Sequence, residues 1–243
     1  MQLRTFGVIG AALALLALAS NAGAQANIKA AVADSSRPAA DTARDAARKP
    51  AETLAFAKVR PGETVLEIAP GGGYFTRLLS KAVGPTGHVY SVAPAQMAKA
   101  VNAIAADPGY SNVTVVGIGP EAMAAVPKVD LVFTAQNYHD LQNPAAKLDV
   151  PALDKAWYAQ LKPGGLFVII DHVAKTGAPV PETASTLHRI DPAFVRKEVE
   201  AAGFKFDGEA NFLRNPADTH ELKVFDPSIR GHTDQFVFRF RKP

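Results

Sequence analysis

Residue types able to do chemistry gather in a few short stretches of this 243-residue chain. Asn137-Tyr138-His139-Asp140 joins an imidazole to a carboxylate. A histidine with an ordinary pKa of ~6.5 suits proton transfer near neutrality, and a neighbouring carboxylate can fix its tautomer. Such a pair serves as a general base, or caps a strand end from a surface loop. Asp171-His172 and His188-Arg189 are further candidates, the first as a cleft rim or a polar strand cap, the second as a contact for an acidic substrate group or a solvated pair. Arg214, Asp218, His220 and Arg230 crowd a late connection, where an arginine could clamp a carboxylate with two parallel hydrogen bonds. Earlier, Gly71-Gly72-Gly73 follows the apolar run Val65 to Ala69. Glycines there let the backbone turn sharply and a ligand come close, and the N–H groups of a helix start attract an anion. A plain tight turn is the alternative.

Other chemistries lack their signatures. His139, Asp140, His172, His188 and His220 show neither H-x-x-x-H nor H-E-x-x-H spacing, so no metal site is expected. The chain has no cysteine and no G-x-S-x-G elbow, which removes thiol nucleophiles, disulfides and the hydrolase triad.

The elements that must position these residues follow from hydrophobic periodicity. Short apolar runs at Thr64 to Ala69, Gly87 to Ala93, Asn112 to Gly117, Val129 to Ala135 and Leu166 to His172 read as strands, with helices between them. That rhythm predicts right-handed crossovers and a parallel sheet covered on both faces. Asp191-Pro192 predicts a helix start and Gly203 its end. Phe204 to Leu213 and Asp234 to Arg241 then follow as strands with no helix between, which predicts an antiparallel pair at one edge. The connection from Arg214 to Thr233 is long for a hairpin, a length typical of lids and binding loops or of disorder. Before the sheet, Gln25 to Lys49 reads as a polar, Ala-rich helix with Asp45 set four before Lys49, either a solvated linker or a lid. A second short helix after Pro50 is expected to bury Leu54, Ala55 and Phe56.

In order and spacing, VLEIAPGGGYFT, HVYSVAP, VDLVFTAQNYHD and LKPGGLFVIIDH resemble the motifs of class I S-adenosylmethionine-dependent methyltransferases. The likeness runs from Val59 to about Lys242. RDAARKPAETLAF and the tail LRNPADTHELKVFDPSIRGHTDQFVFRFRKP look like a bacterial group of predicted methyltransferases carrying export signals. The resemblance implies an α/β, doubly wound, mostly parallel seven-stranded sheet with a C-terminal antiparallel pair. It implies S-adenosylmethionine as cofactor, with Glu67, Ala69, Pro70, Gly71, Gly72, Gly73 and Tyr74 at its methionyl end. The loops carrying Ala93, Pro94, Gly119, Glu121, Ala135, Gln136 and Asn137 would enclose ribose and adenine. His139 would be the base for an oxygen acceptor, with Asp140 orienting it and Tyr138 lining the cleft. His172, His188 and Arg214 would meet the substrate, a small molecule. Two departures stand out. Ala93-Pro94 replaces the usual ribose-binding acid, and Ala69 replaces the first glycine. Loss of that acid supports a second reading, a catalytically inactive binding module that keeps the fold, and also counts against a dinucleotide site.

Composition narrows the partners. Net charge is only +3, with no basic cluster to serve a nucleic acid or an anionic membrane. Phe6 to Ala19 is a 14-residue apolar run ahead of Ala22-Gly23-Ala24, which reads as a secretory signal over residues 1–24 and implies export, as to a periplasm; an uncleaved anchor is the alternative. The expected layout is therefore that signal, a helical lead-in at 25–58 and the methyltransferase-like domain at 59–243.

Overall fold

The computed structural model describes residues 22–243, so most of the expected signal segment lies outside the described residues. Seven strands form one sheet: β1 (Thr64–Ile68), β2 (His88–Val92), β3 (Val113–Val116), β4 (Val129–Ala135), β5 (Leu161–His172), β6 (Lys205–Ala210) and β7 (Gln235–Arg241). Their order is β3-β2-β1-β4-β5-β7-β6, and β7 runs antiparallel to both β5 and β6. The order reverses between β1 and β4, so a crevice opens beyond their carboxyl ends, where doubly wound sheets take ligands.

Strand alternation divides the core in two. Val65, Leu131, Phe133, Val168 and Val237 face one side, which is covered by α5 (Tyr74–Val83) through Leu78 and Leu79. Leu66, Val132, Phe167 and Ile169 face the other with Phe236, Phe238 and Phe240, under Trp157 of α9 (Val150–Gln160) and Val195 and Val199 of α11 (Pro192–Ala201). The remaining crossovers carry α6 (Ala95–Ala105), α7 (Pro120–Ala124), α8 (Tyr138–Leu141) and α10 (Val180–Thr186). Asp191 caps α11 as expected, accepting from the Ala193 N–H at 2.8 Å.

The lead-in differs from expectation. The single helix predicted over Gln25 to Lys49 is three: α1 (residues 22–32), α2 (Ala39–Thr42) and α3 (Asp45–Arg48). Pro38 stands at the start of α2, Ala43 and Arg44 separate α2 from α3, and Pro50 opens the next helix. Lys49, ahead of Pro50, takes a left-handed conformation (φ 46°) that ends α3 before α4 (Pro50–Phe56) begins. Asp45 therefore does not pair along a helix with Lys49. It accepts two hydrogen bonds from Arg37, at 2.8 and 2.6 Å, and one from the Tyr74 hydroxyl at 2.6 Å. Ile28 and Ala31 of α1 join Leu54 in the core of the sheet domain, so the lead-in packs on that domain rather than standing off as a linker. Within α4, Leu54 is buried and Phe56 half-buried, but Ala55 is exposed.

Candidate active site

The turn after β1 and the loop after β4 face each other across the crevice. Ala69 and Gln136, the first residues past the two strands, both take left-handed backbone (φ 52° and 64°). Non-glycine residues held in that region cluster where a site over-determines the backbone. Between the loops lies an open cleft of about 220 Å³. Ala69, Pro70, Gly71 and Gly72 form one wall; Ala135, Gln136, Asn137, His139 and Asp140 form the other.

Glu67 and Arg48 supply opposite charges to this cleft. Glu67 is buried, and its Oε2 accepts from Thr76 at 2.5 Å and Ser91 at 3.1 Å, which leaves Oε1 for the cleft. Burial pushes its pKa up to about 7 against those two hydrogen bonds and the charges of Arg48 and Arg77. The half-buried Arg48 guanidinium donates to Gln136 Oε1 and lies over the rings of Tyr74 (4.6 Å) and Phe75 (5.2 Å). Burial, with help from the charge of Arg44, lowers its pKa to about 10. No carboxylate pairs with Arg48 among the described residues. Neither Arg44 nor Arg48 stood out as a site residue in the sequence, although their i,i+4 spacing was legible; only the docking of the lead-in brings them to the crevice.

His139 is buried and held on three sides. Its Nδ1 lies 2.7 Å from Asp171 Oδ1, its backbone N–H donates to Asp171 Oδ2 at 2.7 Å, and its Nε2 lies 3.2 Å from Asp140 Oδ1. Burial disfavours the charged ring, but Asp171 and then Asp140 outweigh it and push the pKa up to about 10. Asp171, rather than the Asp140 expected from the sequence, holds the Nδ1 that orients the ring. His172 also lines the cleft, with Nδ1 2.7 Å from Thr233 Oγ1, and burial pushes its pKa down to about 3. His188 takes φ 56° and sets its Nδ1 3.2 Å from Asp140 Oδ1.

Several expected site residues lie elsewhere. Tyr138 points into the opposite core, its hydroxyl 2.8 Å from Asp154 Oδ2 and 2.7 Å from Glu198 Oε1, because it sits one position from His139 on a helical turn. Arg214 pairs with Asp234 at 2.7 Å and does not line the cleft, so it makes no substrate clamp. Gly73 (φ 80°) starts α5 and packs on Ile104 instead of lining the wall. Ala93, Pro94, Gly119 and Glu121, past β2 and β3, lie outside the cleft wall, and Glu121 is exposed. The late connection does act as a cover, but through Val224 and Phe225, which the sequence did not single out.

Structural likeness defines the class. A S-adenosylmethionine-dependent methyltransferase from Aquifex aeolicus superposes with a TM-score of 0.57 at 21% identity, over 83% of this chain and 93% of that one. Aeropyrum pernix fibrillarin, solved with natively bound S-adenosylmethionine, gives 0.52 at 15%, over 81% and 76%. The fold is thus that of the class I S-adenosylmethionine-dependent methyltransferases. The profile of the protein-L-isoaspartate(D-aspartate) O-methyltransferase family matches residues 39–176, and the chain belongs to that family. A protein-L-isoaspartate O-methyltransferase from Ignicoccus hospitalis is 37% identical over 116 residues, 46% of this chain and 49% of the relative. The chain spans about half the length or less of the curated relatives it matches.

The cleft fits one end of S-adenosylmethionine well. A Cβ at Gly71 or Gly72 would meet no protein atom within 4 Å, so the space beside the turn belongs to the cleft. Arg48 suits the α-carboxylate of the methionyl group, and Glu67 Oε1 its ammonium.

Proposed function

We propose that the chain transfers a methyl group from S-adenosylmethionine to a carboxylate oxygen, with an isoaspartyl carboxylate of a peptide as the acceptor. The observation that carries this reading is the cationic lining of the cleft, where Arg44 stands beside Arg48. An acceptor that arrives ionised needs no base. With Arg48 on the methionyl carboxylate, the charge of Arg44 in the lining favours such an acceptor, and the relatives' names point to the same chemistry.

When bound, S-adenosylmethionine supplies an electrophilic methyl carbon on a sulfonium. The chain's own task is alignment, since in-line displacement depends on holding the attacking oxygen at the right distance and angle. Gly71 and Gly72 permit close backbone approach, Arg44 draws the acceptor carboxylate into the crevice, and Val224 with Phe225 covers it. A hydroxyl acceptor served by His139, of small-molecule type, is the second reading; it is favoured by the presence of His139 in the cleft wall.

The test is methyl transfer from labelled S-adenosylmethionine to an isoaspartyl peptide, its aspartyl isomer, small carboxylic acids and phenols. A base-labile ester on the isoaspartyl peptide, and little on its isomer, is the expected result. Ester on small acids alone keeps the carboxylate and overturns the peptide. Label on a phenol, lost in His139→Ala without loss of cofactor binding, establishes the second reading. No product and no cofactor binding would favour an inactive binding module. On the apolar run 6–19 and Ala22-Gly23-Ala24 we also propose export; a mature chain beginning at Gln25 is the expected finding, and an intact Met1 in purified protein would refute it.

A further inference from the structure

Three donor atoms converge at the acceptor side of the cleft: His139 Nε2, Asp140 Oδ1 and His188 Nδ1, all within 4.8 Å of one another. Asp140 Oδ1 lies 3.2 Å from each imidazole nitrogen. Two ligands on a tetrahedral ion with bonds of 2.0–2.2 Å stand about 3.3–3.5 Å apart, so the two measured edges come close to that spacing without rearrangement. His139 is also prepared as a ligand. Asp171 holds Nδ1 at 2.7 Å and the backbone N–H at 2.7 Å, which fixes the ring and directs Nε2 toward Asp140. A carboxylate behind a ligating imidazole is the arrangement that sets tautomer and orientation in metal centres. His188 reaches Asp140 from a left-handed backbone (φ 56°), with its ring backed by Phe225 at 4.9 Å.

We propose that His139, Asp140 and His188 form a binding site for a divalent transition metal ion, with its remaining coordination position open to the cleft. Two imidazoles and one carboxylate favour zinc, cobalt or iron over magnesium, which prefers oxygen ligands and retained water. Among the described residues no fourth protein donor joins the cluster, and three protein ligands with one open position is the pattern of reactive rather than structural zinc sites. His139 and Asp140 line the cleft, so the open position faces the space where an acceptor oxygen would lie. The ion would then hold that oxygen beside the methyl donor as a Lewis acid. The metal site itself does not rest on the acceptor proposed above, because its three donors are placed by the protein alone.

The experiment uses the full chain, stripped with chelator and desalted. Zinc is titrated calorimetrically, and cobalt is followed by its visible d–d absorption. One saturable equivalent is expected, with cobalt bands of a four- or five-coordinate nitrogen–oxygen site. His188→Ala and Asp140→Asn should each weaken binding by about tenfold or more and remove those bands, while thermal melts show that each variant is folded. His232→Ala, at an exposed histidine outside the cluster, should leave both titrations unchanged. No saturable binding of either ion overturns the proposal. So does equal binding by wild type and both site variants, which would mean scattered surface coordination. A variant that fails to fold is replaced by His188→Gln, judged by the same loss of the cobalt bands.

Discussion

A valine at Gly72 should abolish or greatly weaken S-adenosylmethionine binding while leaving the melting temperature within about 2 °C, because its Cβ meets no protein atom within 4 Å. Its neighbour behaves otherwise. An alanine at Gly73 would set a Cβ 2.1 Å from Ile104 Cδ1 at φ 80°, so destabilisation of about 1–3 kcal/mol is expected. Calorimetric titration and chemical denaturation of the two variants separate the roles. Glu67 adds a pH signature. Its folded pKa, raised to about 7 by burial, lies above the unfolded value, so the associated stability is fully present below about pH 4.5 and is lost as pH rises through 7. Glu67→Gln should remove roughly 3 kcal/mol of that change, leaving a flatter profile between pH 5 and 8 in urea melts. Glu63, also raised to about 7 by burial, titrates in the same window, so the flattening is partial. An unchanged slope in Glu67→Gln would refute the buried-carboxyl account.

At the scale of elements, the strands and α11 follow from local pattern, and the lead-in does not. Asp191 accepts from the N–H groups of Ala193 at 2.8 Å and Gly177 at 2.7 Å, so it caps α11 and ties down the preceding loop together. Asp191→Ala should cost about 1–2 kcal/mol by denaturation, at the upper end for a cap because two donors lose their acceptor. The three phenylalanines of β7 were legible as one face from their period of two, and the structure buries all three in one core. In the lead-in, by contrast, composition favoured one helix. The structure divides it into three pieces instead, and the bonds of Asp45 to Arg37 and Tyr74 dock them so that Arg44 and Arg48 line the cleft.

Across the whole molecule, a buried ion pair ties the cover over the cleft to the sheet. Arg189 and Asp218 are almost fully buried and bonded at 2.8 and 3.0 Å, and Arg189 also holds the carbonyls of Val173 and Leu222. Asp218 Oδ2 further accepts the Asp234 N–H at 2.7 Å, which closes the connection onto β7. Asp218→Ala should cost about 3–5 kcal/mol, since it leaves a buried guanidinium uncompensated. Hydrogen exchange over residues 219–230 should rise more than exchange in β1 and β4. Equal protection of the cover in the variant would mean that Val224 and Phe225 are placed by other contacts.

Adjacent residues carry what the sequence determined by itself: strand periods, helix caps, the glycine turn and the methyltransferase class those motifs resemble. The physical reason is that propensity, alternation and capping act over a few positions, and each was read where it lies. Tertiary structure alone decided the chemistry of the site. Pairing of Ala135 with Ile170 sets the ends of β4 and β5 level, and this brings Asp171 against His139; the crossover after β5 then returns His188 to Asp140. Residues 48 positions apart share no local pattern, so the absence of metal-ligand spacing in the sequence gave no sign of the His-Asp-His cluster. The same register placed Asp171 behind His139, where it holds Nδ1 and the ring orientation.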